Sequence, residues 1–194
     1  MLQRAESAPV ARPPHQAGGG GSIPTSALSI RVERTTLVYA LELNRLWHSR
    51  LPEFGTGCFP PDRCEKSHVC FAGSDGHMVY AVAIWSKPAA RRLPQRTWLE
   101  LRRFAIAPDA PRNTGSRMLR VMALLIRRER PSVRKLISYQ DTEAHVGTIY
   151  RASGWVPVEQ DRKGARHWNM PSRPRPAAEF TADKIRWEKS QEAR

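Results

Sequence analysis

At 194 residues, 40% of them hydrophobic and 26% charged, the chain holds material for one domain and little more. No apolar run approaches the roughly 20 residues of a membrane-spanning helix and no hydrophobic secretory segment opens the chain, so a cytoplasmic protein away from membranes is expected. A net charge of +14 disfavours cationic substrates and favours polyanions such as nucleic acid. The excess is uneven, because residues 91–135 hold 13 basic and 3 acidic side chains. An arginine-rich genome would supply such residues to any surface, and phosphate contact would also explain them.

Met1 to about Ala27 contains Ala/Pro-rich pieces and a Gly18-Gly19-Gly20-Gly21-Ser22 run, the composition of a flexible arm. Residues 29–33 read as a strand, and Thr35 or Thr36 can cap a helix running to about Arg50. Leu37, Ala40, Leu41, Asn44 and His48 share one stripe of that helix. Asn44 and His48 are thus polar groups on an inward face, either satisfied in the core or turned toward a ligand. Cys58, Cys64, His68 and Cys70 carry zinc-type atoms without tight CxxC pairs, so thiols and no metal site are expected.

Residues 69–72 and 78–85 form a hairpin around Ser74-Asp75-Gly76, followed by a basic, Pro-containing loop with Arg91, Arg92 and Arg96. Leu99 to Ile106 alternates as a strand that carries Arg103 and ends on Phe104-Ala105-Ile106. Pro108 and Pro111 break it, and Arg112-Asn113-Thr114-Gly115-Ser116 opens a helix over residues 113–130 with Met118, Val121, Met122 and Leu125 inward. The free N–H groups at that helix start make an anion site. A strand over 135–139, a short helix over 143–152 and a strand over 155–158 follow. Asp141 and His145 share a face if that helix starts early, and Asp141 could instead cap it. Beyond residue 170 a Pro/Arg-rich stretch leads to Lys184-Ile185-Arg186-Trp187, read as a basic C-terminal extension over 171–194.

This order of elements resembles the GNAT acyltransferase superfamily, with an acyltransferase domain over 28–170. Arg112-Asn113-Thr114-Gly115-Ser116-Arg117 matches its phosphate turn in the first Arg and the Gly, but places Arg117 where a small residue belongs. Tyr150-Arg151-Ala152-Ser153-Gly154-Trp155 matches its later Tyr-x-x-x-Gly-aromatic motif. Ile137-Ser138-Tyr139-Gln140-Asp141, followed by His145-Val146-Gly147-Thr148-Ile149-Tyr150, is similar to the phage Mom-like branch, which modifies adenine in DNA and so blocks restriction enzymes. Trp47-His48 and the closing Lys184-Ile185-Arg186-Trp187 share that resemblance, with Ala144 standing where relatives often have Gly.

The resemblance implies an α/β fold, a mixed central sheet flanked by helices, and an acetyl-CoA-dependent enzyme acting on the N6 amine of adenine. Backbone N–H groups of Thr114, Gly115 and Ser116, with Arg112 and Asn113, would hold the cofactor's pyrophosphate. Those near Phe104, Ala105 and Ile106 would face its thioester oxygen. Tyr150 would be the general acid, joined by Asp141, His145, Ser138 and Tyr139 around the base. Asn44, His48, Arg103, Arg91, Arg92, Arg96, Lys184, Arg186 and Trp187 are the candidates for substrate and DNA contact. An N-acetyltransferase for a small or protein amine, or a basic nucleic-acid-binding protein without chemistry, are the competing readings.

Overall fold

The strands carry apolar residues on both faces of one sheet, and among the described residues a helix covers each face. The computed structural model describes residues 23–25, 30–48, 67–158 and 184–191. Among these, β1 (Ile23–Thr25), β2 (Ile30–Thr35), β3 (Val69–Ser74), β4 (Val79–Ser86) and β5 (Trp98–Ile106) form an antiparallel meander. The helix α2 (Thr114–Glu129) then crosses over to β6 (Lys135–Asp141), which lies parallel to β5. After α3 (Thr148–Ala152) and β7 (Val156–Val158), the last strand β8 (Lys184–Ser190) inserts between β6 and β7. The sheet order is β1-β2-β3-β4-β5-β6-β8-β7, a mixed sheet of the kind expected.

On one face α1 (Leu37–Trp47) buries Leu37, Ala40 and Leu43 against Cys70, Ala72, Val82 and Ile84. Thr36 caps it, its Oγ1 accepting the Tyr39 N–H at 3.2 Å. On the other face α2 packs Met118, Leu119, Met122 and Ile126 over Phe71, Ala83, Trp85 and Leu101. Both faces of β3 and β4 are covered, so these strands read as near-continuous apolar runs. The hairpin turn is tied by Asp75, whose Oδ1 accepts the His77 and Met78 N–H groups at 2.9 and 2.8 Å. These bonds hold its carboxyl at a pKa of about 2.

One irregularity shapes the functional end of the sheet. Ile84 faces Arg103 while Trp85 faces Leu101, leaving Arg102 as an extra residue in β5. This bulge reverses the alternation: Leu99 and Leu101 lie on the α2 side, and beyond it so do Phe104 and Ile106. Ala105, with Arg103 in the same parity, turns to the α1 side. The β5–β6 pairing stops there too, running only from Trp98–Lys135 to Leu101–Ser138. Beyond that point the two strands part.

Several expectations are corrected. Residues 23–25, assigned to the flexible arm, pair with β2; the rest of that arm lies outside the described residues. The helix expected from Glu143 begins only at Thr148, because Gly147 sits in the left-handed region at φ 74° and separates it from the turn before it. Residues 184–190 are not an extension but a strand bonded on both edges, with Trp187 in the core. Cys70 is a buried free thiol, whereas Cys58 and Cys64 lie outside the described residues.

Candidate active site

Where β5 and β6 part, a cavity of about 660 Å³ opens. Its walls are the second half of β5 (101–106), the end of β6 (138–141), the 144–150 loop and helix start, the end of α1 at Trp47 and His48, and Lys184. Eleven of the residues singled out from sequence meet here: His48, Arg103, Phe104, Ala105, Ile106, Ser138, Tyr139, Asp141, His145, Tyr150 and Lys184. On its β6 side, β5 has no strand partner among the described residues from Arg102 to Ile106, so the backbone polar groups of that edge border the cavity.

At the fork, Ser138 Oγ and Tyr150 Oη are 2.9 Å apart and share a hydrogen bond. Both residues are buried, and burial pushes the Tyr150 phenol above its ordinary pKa, with Ser138 a weaker opposing influence. The ring is fixed by a stacked contact with Trp187, centroids 5.2 Å apart, and an edge contact with Trp155 at 5.8 Å. Trp187 Nε1 in turn donates to Gln140 Oε1 at 2.7 Å, and Gln140 Nε2 donates to the His145 carbonyl. One buried amide thus ties the loop that carries His145 to the strand that carries Trp187. Gly147 is required in that loop, because a Cβ there would lie 2.5 Å from Gln140 Oε1 and 2.7 Å from Trp187 Cζ2.

Asp141 and His145 do not share a helix face. They close a turn in which the His145 N–H bonds the Asp141 carbonyl at 3.1 Å, and Asp141 Oδ1 accepts the Glu143 N–H at 3.0 Å. On the α1 side, His48 is half-buried. Burial first, then the charges of Arg103 and His145, lower its pKa. Tyr139 is pushed the other way, by burial and by the nearby Glu100 carboxylate.

The helix start lies beside the cavity rather than in its wall. Asn113 adopts φ 66° and places α2, whose Thr114 N–H and hydroxyl are both spent on the Pro111 carbonyl. The amides of Gly115 and Ser116 are those left by the ordinary geometry of a helix start. A Cβ on Gly115 would come within 2.9 Å of Ile106 Cδ1 and 3.1 Å of Ile149 Cγ2, so the bare backbone abuts two cavity-lining residues.

Other residues singled out from sequence stand elsewhere. Asn44 is fully buried one turn behind His48, its carbonyl accepting the His48 N–H at 2.8 Å. Arg91, Arg92 and Arg96 are exposed before β5, at the end of the sheet opposite the cavity. Arg186 is paired with Glu188 at 2.9 Å and partly exposed, while Trp187 is 1% exposed and so is a core residue rather than a surface contact. Sequence reasoning did not single out Trp47 or Gln140 as site residues, or the bulge at Arg102. Trp47 and Gln140 each left a trace, as members of stretches that share the family resemblance, whereas the bulge left none.

The fold has counterparts in solved structures. The ribosomal-protein-S5-alanine acetyltransferase from Vibrio fischeri has a similar structure, with a TM-score of 0.57 at 12% identity, over 89% of this chain and 97% of that one. The yncA protein from Salmonella typhimurium, solved with its cofactor acetyl-CoA, gives 0.57 at 10% identity over 85% and 95%. The GNAT domain of S. lividans PAT gives 0.54 at 15% identity over 83% and 90%. At these identities the likeness concerns the fold, which is that of the GNAT acetyltransferases. A search among curated proteins finds no match. The Mom protein family, by contrast, matches residues 73–191, a span running from β3 through the fork of β5 and β6 to the last strand. The chain belongs to the Mom protein family and carries its site on a GNAT fold.

Proposed function

We propose that this protein is an acyl-CoA-dependent enzyme that modifies the N6 amine of adenine in DNA, protecting phage or prophage DNA from restriction. The observation that carries the reading is the buried Ser138–Tyr150 hydroxyl pair at the head of the cavity between β5 and β6. The residues present fit an acyl-CoA. Gly115 and Ser116 offer backbone N–H groups at the positive end of a 16-residue helix, and the missing side chain at Gly115 lets that helix start pack directly against Ile106 and Ile149 of the cavity wall. Arg112 is exposed at the same helix start and supplies charge. When bound, the cofactor supplies an activated acyl group as a thioester.

The chain's own residues then have separable tasks. Tyr150 keeps its proton at neutral pH because burial disfavours the phenolate, so its Oη is a proton donor oriented by Ser138 Oγ. Asp141 and His145, held on one tight turn at the rim, meet the edge of the base; His145 takes the amine's proton. Trp47 and Phe104 line the cavity with aromatic surface of the kind on which a purine stacks. A base in duplex DNA reaches such a cavity only by leaving the stack.

The lining also argues against a polyamine or similar cation as substrate. Arg102, Arg103 and Lys184 stand there against the single carboxylate of Asp141. The test is purified protein with acetyl-CoA and adenine-containing DNA. Thiol release that depends on DNA supports the proposal. Release with a polyamine but not with DNA favours a small-amine acetyltransferase, and failure to bind acetyl-CoA favours a nucleic-acid-binding protein without chemistry.

A further inference from the structure

The chemistry above leaves one corner of the cavity without a task. On the α1 side, the bulge at Arg102 turns Arg103 out of the parity of Leu99 and Leu101 and into the wall that His48 closes from the end of α1. Without the extra residue, Arg103 would lie on the α2 face. The corner gathers positive charge where water is already partly excluded. Arg103 is half-buried, its Nη1 donates to the Arg102 carbonyl at 2.7 Å, and it experiences the opposed charges of Arg102 and Glu100. Glu100 is itself engaged: one carboxylate oxygen lies 3.6 Å from Arg102 and the other accepts the Ala89 N–H at 2.7 Å. His48 experiences both Arg103 and His145. Like charges drawn into a half-buried corner oppose one another, and an anion there relieves the opposition.

We propose that Arg103 and His48 form a phosphate subsite that grips the backbone phosphate of the nucleotide whose base enters the cavity. The proposal rests on the reading of DNA adenine as substrate, since adenine and deoxyribose are neutral and the phosphate is the one anion that a target nucleotide brings. A planar guanidinium with several N–H donors suits phosphate oxygens, and an imidazole N–H adds a further donor. The corner is distinct from the helix start proposed for the cofactor. Gly115 abuts Ile106 on the α2 side, whereas Arg103 has the α1-side parity of Ala105.

The test measures binding of 2′-deoxyadenosine and its 5′- and 3′-monophosphates to the full chain by calorimetry, with acetyl-CoA measured in parallel. The parent should bind at least one monophosphate about tenfold or more tighter than the nucleoside, the range expected for a charge-assisted contact. Arg103→Gln should remove that preference while leaving the nucleoside and acetyl-CoA affinities unchanged, and His48→Gln should reduce it, giving a second variant should the first not fold. The His48 ring protons, followed by NMR, should titrate at higher pH with the monophosphate bound. Equal affinity for nucleoside and monophosphates in the parent overturns the proposal. So does an Arg103→Gln loss shared by acetyl-CoA, which would assign the corner to the cofactor. If DNA is modified although no monophosphate preference exists, the subsite fails and the function stands. A preference that Arg103→Gln abolishes supports the subsite even if no modified adenine is found.

Discussion

Tyr150 Oη lies 2.9 Å from Ser138 Oγ, and this bond joins α3 to β6 at the point where that strand leaves β5. It brings together residues 12 positions apart whose side chains both enter the α2-side core and whose oxygens border the cavity. The two hydroxyls therefore satisfy each other and serve the site at once.

Removing one of them has two readouts. Tyr150→Phe should lower the rate of adenine modification by about 10² to 10⁴-fold, the usual contribution of a positioned proton donor, with acetyl-CoA affinity preserved. It also leaves the Ser138 hydroxyl buried without this partner, at about 1–3 kcal/mol of stability in denaturant titrations. Ser138→Ala should show the same stability loss with a smaller effect on rate. Equal rates in all three proteins would make the pair a structural feature.

The raised pKa of Tyr150 sets the sign of a pH effect. Burial favours the neutral phenol in the folded protein, so the phenol ionises more readily in the unfolded chain. Its contribution to stability is fully present below the unfolded value near 10 and is lost as pH rises from there through the folded pKa. Melting curves should show that alkaline loss, and Tyr150→Phe should lack it.

Gly147→Ala should destabilise the fold by about 2–5 kcal/mol, combining backbone strain with overpacking. The residue has φ 74°, and a Cβ would press on Gln140 and Trp187. Since Gln140 and Trp187 support Tyr150 and the His145 loop, the rate should fall as well. Unchanged melting would mean the loop relaxes without cost.

Gly115→Ala tests the cofactor side. Its Cβ would meet Ile106 and Ile149 within about 3 Å, so a larger residue such as Val disturbs packing as well as the helix start. The alanine variant should weaken acetyl-CoA binding in calorimetry while circular dichroism stays the same. Parent-like affinity would remove the α2 start from the cofactor site.

The fold was largely legible because its signals are local. The turn signal Ser74-Asp75-Gly76 marked β3 and β4, alternation marked β5, and the stripe of Met118, Val121, Met122 and Leu125 marked α2. What escaped were features decided by distant partners. The bulge at Arg102 is invisible in Leu99–Ile106 alone, since β4 sets the register that leaves one residue over. Lys184 to Ser190 does alternate, with Ile185 and Trp187 inward, but its charges suggested a solvated extension. Only pairing with β6, more than 40 residues earlier in the chain, makes it a strand. The candidate site was legible as a set of residues, and Ser138, Asp141, His145 and Tyr150 do converge. The arginines at 91, 92 and 96 do not, because charge carries no information about which end of a strand it will occupy.

The most direct measurement of the central claim is mass spectrometry of nucleosides from the DNA of bacteria expressing the protein. The account predicts a deoxyadenosine of increased mass with the parent chain and its loss or sharp reduction with Tyr150→Phe at equal expression. An adenine pool of ordinary mass, from cells in which the parent protein is folded and binds acetyl-CoA, would contradict it.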